Sequence, residues 1–301
     1  MEPRTSTRAI ARACVGTDER LDAADVFAAA AAVGITEKAV RDCLARLQRE
    51  GEIVKRSGRG KTAVFEATAA GREALEADRG WVAFSHRIDA GLEPWDGRWH
   101  MVSFEISEPK REIRGALRTV LRELGAAAMH AGVYTSAWNL RPFVQPIADQ
   151  HDVASRLAWW STEALEFGGQ RDPSDVAAAL WPLADIARQY AALDSDICDV
   201  LDSIDELAEV DLAAAAFAVA VRIDTLMRAE PLLPRELLPA AWPGVRARAN
   251  YHELMLRGRD RSELLARSSH ATSVVAEIEL ALTETSEQFW ARRLRSTRIG
   301  Q

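Results

Sequence analysis

A short glycine-rich stretch, Ser57 to Thr62 with the sequence SGRGKT, carries two cations and ends in GKT, as a phosphate-binding P-loop does. A P-loop needs another glycine five positions before the glycine of GKT, and the chain has Lys55 there. The threonine of a P-loop also opens a helix, whereas TAVFEAT, beginning at Thr62, has the β-branched and aromatic residues of a strand. The stretch therefore fails as a nucleotide site on both spacing and context.

The same stretch fits the tip of a β-hairpin. Two segments that contain β-branched and aromatic residues, EIVKR and TAVFEA, flank the glycine-containing turn. Arg56, Arg59 and Lys61 would then project positive charge where the phosphates of a duplex could meet it, a contact that positions a protein on DNA without reading sequence. The alternative is a charged, solvated loop that binds nothing. Taken by itself, the loop sequence favours that alternative over DNA binding.

The hairpin follows two predicted helices. LDAADVFAAAAAVG, with Asp22 as its cap and Gly34 as its stop, is followed by TEKAVRDCLARLQREG, which Thr36 caps and Gly51 ends. The second helix has a buried stripe at three-and-four spacing, formed by Val40, Cys43, Leu44 and Leu47. Thr68 opens a further helix after the hairpin.

This order of elements is that of a winged helix-turn-helix. The second helix of such a domain is the recognition helix, whose N-terminal residues contact base edges in the major groove. Thr36, Lys38 and Arg41 are therefore predicted to face bases, and Arg56, Arg59 and Lys61 to contact phosphates. In this order the features together favour DNA binding over a charged, solvated surface.

The composition sets limits on the whole molecule. The 301 residues carry a net charge of −7, but residues 36–62 hold eight Lys and Arg against four Asp and Glu, so that any attraction to DNA is local. Three distant cysteines argue against disulfides and for a reducing compartment. The N-terminus lacks a signal-peptide core, and the longest apolar run, Leu212 to Val221, is about half a membrane span. We expect a cytoplasmic protein without a membrane, metal or cofactor.

The rest of the chain changes its periodicity twice. RWHMVSFEIS reads as a strand, Pro109 starts a helix that ends at Gly125, and AMHAGVYTSAWN and VASRLAWWSTEALEFG supply further strands, as in a ferredoxin-like domain. From Pro173 the pattern is helical, interrupted by the prolines of EPLLPRELLPAAWPG. The predicted class is α+β and multidomain: a winged helix-turn-helix at 1–80, a connector at 81–96, a ferredoxin-like α/β sandwich at 97–172 and a mostly α-helical C-terminal domain at 173–301.

The chain resembles the PaaX family of bacterial transcriptional regulators. The resemblance lies in VRDCLARLQREGEIVKRSGRGKTAVFEATAAGREAL, in WDGRWHMVSFEISEPKREIRGALRTVLRELG and HAGVYTSAWNL, and in LWPLADIARQY and EPLLPRELLPAAWPGVRAR. It implies a homodimeric repressor of a catabolic operon, such as that of phenylacetate, which binds double-stranded operator DNA and is released by a small effector such as an acyl- or aryl-CoA thioester. It also extends the predicted DNA contacts to Arg49.

The middle segment is also similar to the CRISPR-associated Cas2 nucleases. In those proteins the first strand ends in an aspartate tied to metal-dependent cleavage, and the matching position here is Glu105, which departs from that pattern. We therefore interpret the middle domain as a dimerisation or coupling module and the protein as no enzyme, with a Cas2-like metal-dependent nuclease as the alternative. The sequence identifies no effector-binding residues; Trp159, Trp160, Trp181 and Trp242 could line an aromatic pocket or form core.

Overall fold

The structure is a computed structural model that describes residues 7–16, 18–267 and 278–296. Within these ranges it combines many helices with two small antiparallel sheets, which confirms the predicted α+β class. The labelled helices are α1 Thr7–Ala13, α2 Ala23–Ala32, α3 Glu37–Arg49, α4 Ala69–Asp89, α5 Arg111–Glu123, α6 Arg141–Gln150, α7 Pro173–Leu180, α8 Leu183–Ser203, α9 Glu209–Ala229, α10 Pro243–Arg259, α11 Glu263–Arg267 and α12 Ser286–Ser296. The strands are β1 Arg20–Asp22, β2 Ile53–Ser57, β3 Val64–Ala67, β4 Trp99–Phe104, β5 Ala127–His130, β6 Val133–Ser136 and β7 Leu157–Thr162.

The helix-turn-helix consists of α2 and α3. The side chain of Thr36 accepts a hydrogen bond from the backbone N–H of Ala39 at 3.3 Å, as expected of a helix cap. Gly34 and Gly51, which follow the two helices, have φ angles of 74° and 75°, in the left-handed region that glycine adopts without steric cost. The predicted stripe of Val40, Cys43, Leu44 and Leu47 is buried, and both α1 and α2 pack against α3.

A three-stranded sheet in the order β1-β3-β2 forms the wing beside these helices. β2 and β3 are antiparallel, with Ile53 opposite Ala67 and Lys55 opposite Phe65, and a short 3-10 turn at Gly60–Thr62 connects them. Gly58 has a φ of 68°, and a Cβ built there would lie 1.8 Å from the carbonyl oxygen of Thr62. Only glycine fits this position of the wing tip.

The middle elements follow the order β4-α5-β5-β6-α6-β7, and their sheet has the strand order β5-β6-β4-β7 with every neighbouring pair antiparallel. This is the ferredoxin-like arrangement that the sequence predicts. Val102 and Phe104 of β4 form one buried cluster with Leu117 and Leu121 of α5 and Val144 of α6. The two helices therefore cover one face of the sheet.

Two helices differ from the sequence expectation. The pattern predicts no helix between β6 and β7, where α6 forms although Pro146 lies inside it, because Val144, Ile147 and Ala148 are buried along one side. α4 continues to Asp89, through half of the predicted connector, because Trp81, Phe84 and Ile88 extend its apolar side without an intervening glycine or proline.

The chain divides into two compact units. The first contains the described residues of Met1–His86, Arg188–Met227 and Pro243–Thr283. Inside it the buried carboxylate of Asp194 on α8 accepts hydrogen bonds from Arg246 at 2.6 Å and Asn250 at 2.8 Å, both on α10. This division does not test the domain limits predicted from the sequence, and they remain a prediction.

The second unit contains the described residues of Arg87–Ala187, Arg228–Trp242 and Glu284–Gln301. Its core includes a buried ion pair in which Nε of Arg87 lies 2.7 Å from Oε1 of Glu93. Nη2 of Arg87 also donates to Oγ of Ser286 at 3.2 Å, at the start of α12, so the pair is satisfied by neighbouring groups, as a buried charge requires. Across the part of the chain that the structure describes, no helix is long and apolar enough to cross a membrane.

Candidate nucleic-acid interface

The residues predicted to contact bases lie on the solvent side of α3. Lys38 and Arg41 are exposed, outside the buried stripe, and Thr36 is exposed at the N-terminal cap. Nζ of Lys38 lies 3.5 Å from Asp42, one turn further along the helix. Nη1 of Arg41 lies 3.3 Å from Oε2 of Glu37, one turn back. Both cations are thus oriented by carboxylates of their own helix.

Glu37 joins α3 to the wing. Its Oε1 accepts a hydrogen bond from Nζ of Lys61, and its Oε2 faces Arg41. These contacts hold the pKa of Glu37 below its usual value, the hydrogen bond from Lys61 being the largest cause, so the carboxylate is ionised at neutral pH. Nζ of Lys61 also lies 5.5 Å from the centroid of the Phe27 ring, on α2. One lysine of the wing is therefore in contact with both helices of the helix-turn-helix.

A second ion pair spans the two strands of the wing. Nε of Arg56 on β2 donates to Oε2 of Glu66 on β3 at 2.6 Å. The hydrogen bond from Arg56 is the main cause that lowers the pKa of Glu66, and the same contact raises the pKa of Arg56. Arg56 therefore stabilises the hairpin as well as adding positive charge to it.

Arg59 and Arg49 differ from the other cations. Both side chains are exposed, and within the described ranges neither has an ion-pair partner. The backbone of Arg59 is fixed instead, since its N–H donates to Oγ1 of Thr62 at 3.4 Å and its carbonyl accepts from the same hydroxyl at 3.0 Å. The wing tip thus presents a free guanidinium on a defined backbone turn.

The structure brings Arg41 and Lys61 together on one carboxylate, places Lys38 and Thr36 along the same helix end, and leaves Arg49 at the other end of α3. Arg56 and Arg59 lie on the wing. We call Lys38, Arg41, Arg49, Arg56, Arg59 and Lys61 the winged-helix cations. Glu37 and Phe27 are not among the site residues predicted from the sequence. The four-residue spacing of Glu37 and Arg41 is a signal that could have indicated their pairing, whereas nothing in the sequence links Glu37 to Lys61.

The wing is fixed to the rest of the domain at its base. Nη2 of Arg12 on α1 lies 3.2 Å from Oε1 of Glu52, just before β2, and Arg8 of the same helix contacts Glu52 as well. A Cβ added at Gly71, in the first turn of α4, would lie 2.1 Å from the carbonyl oxygen of Glu52, so α4 approaches this point closely. These contacts give the cations a rigid support.

The middle domain contains Glu105, the position that the nuclease alternative requires. It is exposed directly after β4, and its N–H donates to the carbonyl of Arg156 at 3.4 Å. Among the described residues, no three His, Cys, Asp or Glu side chains are grouped so that they could hold a metal ion. Within those ranges no observation favours cleavage chemistry over regulation.

The four tryptophans considered for an effector pocket have different environments. The indole N–H of Trp181 donates to the carbonyl of Gly125 at 3.0 Å, and that of Trp242 donates to Oε1 of Glu230 at 2.9 Å; both side chains are buried. Trp159 is half-buried, whereas Trp160, the next residue of β7, is 45% exposed. Since neighbouring residues of a strand face opposite sides of a sheet, these four rings do not line a common pocket.

Two family models match the chain. The PaaX protein central Cas2-like domain matches residues 92–176, and the PaaX-like protein C-terminal domain matches residues 181–268, which together exceed half of the 301 residues. No curated protein matches. Among solved structures, an uncharacterised protein from Mycobacterium tuberculosis, Rv0674, is similar at 24% identity and a TM-score of 0.47, with 85% of this chain and 89% of that chain covered. Both family models match stretches that follow the winged-helix residues.

Proposed function

The chain belongs to the PaaX family, a family of transcriptional regulators, and from this premise we propose that it binds operator DNA in a sequence-specific manner through its winged helix. The observation that carries the proposal is the arrangement at Glu37, where a cation of the wing and a cation of the recognition helix share one carboxylate. A recognition helix and wing held in one geometry can meet a major groove and the adjoining phosphates together.

In this proposal Thr36, Lys38 and Arg41 face the base edges. Arg49, Arg56, Arg59 and Lys61 contact phosphates. An arginine can donate two parallel hydrogen bonds to guanine, and a lysine can also reach its acceptors. Phosphate contacts position the protein without adding sequence preference. The chain as a whole carries a net charge of −7, so the attraction to DNA has to come from local groups of cations such as those of the winged helix.

We further propose that the regulator is a homodimer and a repressor of a catabolic operon. The ferredoxin-like domain would act as a dimerisation or coupling module. Two winged helices of a dimer would occupy half-sites about 34–36 Å apart, or a multiple of that distance. A small effector such as an aryl-CoA thioester would release the DNA by favouring a dimer geometry with a different spacing, and a typical coupling of about 1–3 kcal/mol corresponds to a roughly 5–150-fold change in operator affinity.

The test is binding of the full chain to the DNA upstream of its own gene, followed by fluorescence anisotropy at several salt concentrations, with a scrambled duplex as the reference. Arg59→Ala should weaken binding to both duplexes and lower the salt slope by about one, because one phosphate contact is lost. Arg41→Ala should relax the preference at one base position of each half-site by about 1–3 kcal/mol, because a base contact is lost.

Tight binding to the upstream DNA but not to the scrambled duplex supports the proposal. Phenylacetyl-CoA added to the complex tests the effector class, and release of the DNA is the expected result. If both variants keep the affinity and the sequence preference of the wild type, the winged helix is not the DNA-binding surface.

A further inference from the structure

Helix α5 carries a second group of cations, on the helical face of the ferredoxin-like sheet. Its sequence, REIRGALRTVLRE, has arginines spaced by three, four and four residues, at positions 111, 114, 118 and 122. At about 100° per residue they fall within an arc of about 80° and extend along about 16 Å of the helix. We call Arg111, Arg114, Arg118 and Arg122 the α5 arginine ridge. The two glutamates of the helix, Glu112 and Glu123, lie outside the arc.

The orientation of α5 directs this ridge to solvent. Leu117 and Leu121, on another side of the helix, are fully buried against the sheet. Arg111 and Arg122 at the two ends are exposed, and Arg114 and Arg118 between them are half-buried. The ends of the ridge are thus the most accessible to a partner.

The charge of the ridge is largely uncompensated. Arg114 is held by the carbonyl of Ile106 at 3.1 Å and by Oε2 of Glu108 at 3.0 Å. Within the described ranges, Arg111, Arg118 and Arg122 have no ion-pair partner. The lack of partners does not come from a shortage of carboxylates, because residues 81–301 contain 32 Asp and Glu against 24 Lys and Arg. Like charges one turn apart also destabilise a helix, so an anion outside the chain would relieve a repulsion that the fold leaves in place.

A glycine beside the ridge gives a second observation. Gly115 lies in the interior of α5, where glycine is less favourable than alanine. A Cβ built at Gly115 would have no described atom within 4 Å, so packing inside the protein does not require the glycine. By its position on the helix, Gly115 lies about 20–40° from Arg122 and Arg111. The bare backbone leaves room for a partner to approach the helix closely next to these two arginines.

We propose that the α5 arginine ridge binds the sugar–phosphate backbone of duplex DNA, which adds a sequence-independent contact to that of the winged helix. The inference rests on the proposed function, since DNA is the polyanion it invokes. A guanidinium can donate two parallel hydrogen bonds to a phosphate, and one strand has a charge about every 3.4 Å along the axis, so about 16 Å of helix faces several phosphates. Helix α5 contributes no aromatic side chain to this surface, whereas Trp and Tyr, together with Arg, are enriched among the residues that dominate protein–protein binding.

The decisive variant changes the two exposed ends of the ridge, Arg111→Gln together with Arg122→Gln, in the full chain. Binding to a duplex of unrelated sequence is measured by fluorescence anisotropy between 50 and 200 mM salt. Loss of two phosphate contacts should lower the salt slope by about 1.8, so that the affinity ratio between 50 and 200 mM salt shrinks about 12-fold. The single variant Arg122→Gln should produce about half of this change in slope.

The matched control is Arg171→Gln. Arg171 belongs to the same unit as α5 and is 81% exposed, but it lies outside the helix and pairs with Glu166 at 2.8 Å. It changes the net charge of the protein by the same amount as a single ridge variant. Arg171→Gln should keep the salt slope of the wild type. The control and the ridge variants should all keep the circular dichroism spectrum and the Tm of the wild type.

The outcomes separate this inference from the proposed function. If the wild type binds no duplex, both are wrong. If the wild type binds and the double ridge variant keeps its salt slope, the ridge inference alone is wrong; a simultaneous loss of dimer in sedimentation would then assign the ridge to an interface between two copies. If the ridge variant weakens binding while Arg59→Ala and Arg41→Ala both keep the affinity and the sequence preference of the wild type, the ridge stands and the winged-helix assignment fails.

Discussion

The winged helix and helix α5 both present clusters of cations, but they differ in how those cations are neutralised. Of the six residues named above as the winged-helix cations, four have carboxylate partners: Lys38 with Asp42, Arg41 and Lys61 with Glu37, and Arg56 with Glu66. On α5, Arg114 has a partner, whereas in the described part of the chain Arg111, Arg118 and Arg122 have none.

This difference indicates two ways of using positive charge. A cation that is hydrogen-bonded to a carboxylate has a defined direction, which suits the geometry of base edges, but contributes less net charge. An unpaired arginine contributes its full charge and adapts to any phosphate, which suits affinity without sequence preference. We therefore expect variants of the paired cations Lys38 and Arg41 to change mainly the specificity. Variants of unpaired arginines, such as Arg59 on the wing and Arg122 on α5, should change mainly the salt dependence.

The largest effect is expected from Gly58→Ala at the wing tip. An alanine there would adopt a left-handed backbone, at a cost of about 1–2 kcal/mol, and its Cβ would also collide with the carbonyl of Thr62, 1.8 Å away. The tip must then move, and the cations around it move with it. We expect the affinity for operator DNA, measured by anisotropy, to fall at least about tenfold, which corresponds to about 1.4 kcal/mol.

Gly60→Ala is the matched control for this prediction. Gly60 has a φ of 57°, but a Cβ there would have no described atom within 4 Å, so the substitution carries the backbone cost without the collision. It should weaken binding less than Gly58→Ala does. Equal affinities of the two variants would show that the shape of the wing tip does not determine DNA binding. The winged helix and α5 would then differ only in how their cations are paired.

Glu37→Gln is expected to have a smaller effect in the opposite direction, because it should raise the affinity for unrelated DNA. The carboxylate is ionised at neutral pH because Lys61 and Arg41 hold its pKa below the usual value, and it neutralises part of their charge. The substitution should make Arg41 and Lys61 behave like the unpaired arginines of α5. Affinity for unrelated DNA should rise, the salt slope should steepen by about 0.9, and the preference for the operator should fall.

Glu73→Gln is the control for the change in net charge. Glu73 is exposed on α4 of the same domain and is outside the contacts described for the wing. If both variants raise the affinity for unrelated DNA equally, the effect comes from net charge and not from the position of Glu37. If Glu37→Gln lowers operator affinity without changing that for unrelated DNA, Glu37 itself contacts a base.

Helix α3 could be predicted from the sequence because its signals are local. The cap at Thr36, the stripe that includes Val40 and Leu47, and the glycine at 51 each depend on residues within a few positions, and the structure confirms all of them. The ferredoxin-like domain could be predicted from the alternation in RWHMVSFEIS and from the order of strands and helix along the chain. The strand order of its sheet is seen only in the structure. The cations chosen as DNA contacts are exposed as expected, and their role remains a proposal.

Other features depend on contacts between distant parts of the chain. Glu37 and Lys61 are 24 residues apart, and their contact exists only after the wing folds back towards α3. Helix α6 is not predicted from the sequence, because Pro146 removes a backbone hydrogen bond and so disfavours a helix locally. The burial of Val144 and Ile147 against the rest of the domain offsets this cost. The arginine ridge is visible only when α5 is placed on the sheet, which shows which side of the helix is left to solvent.

The smallest effect is expected from Arg56→Gln, which compares a paired cation with an unpaired one in the same wing. Arg56 is bound to Glu66 at 2.6 Å, whereas the side chain of Arg59 has no ion-pair partner in the described ranges. Because Arg56 already has a carboxylate to satisfy it, its loss should change the salt slope by clearly less than the change of about one expected for Arg59→Ala. Both variants are measured on the same unrelated duplex. Equal slopes would mean that Arg56 leaves Glu66 for a phosphate when DNA binds, and pairing in the free protein would then no longer distinguish the winged helix from α5.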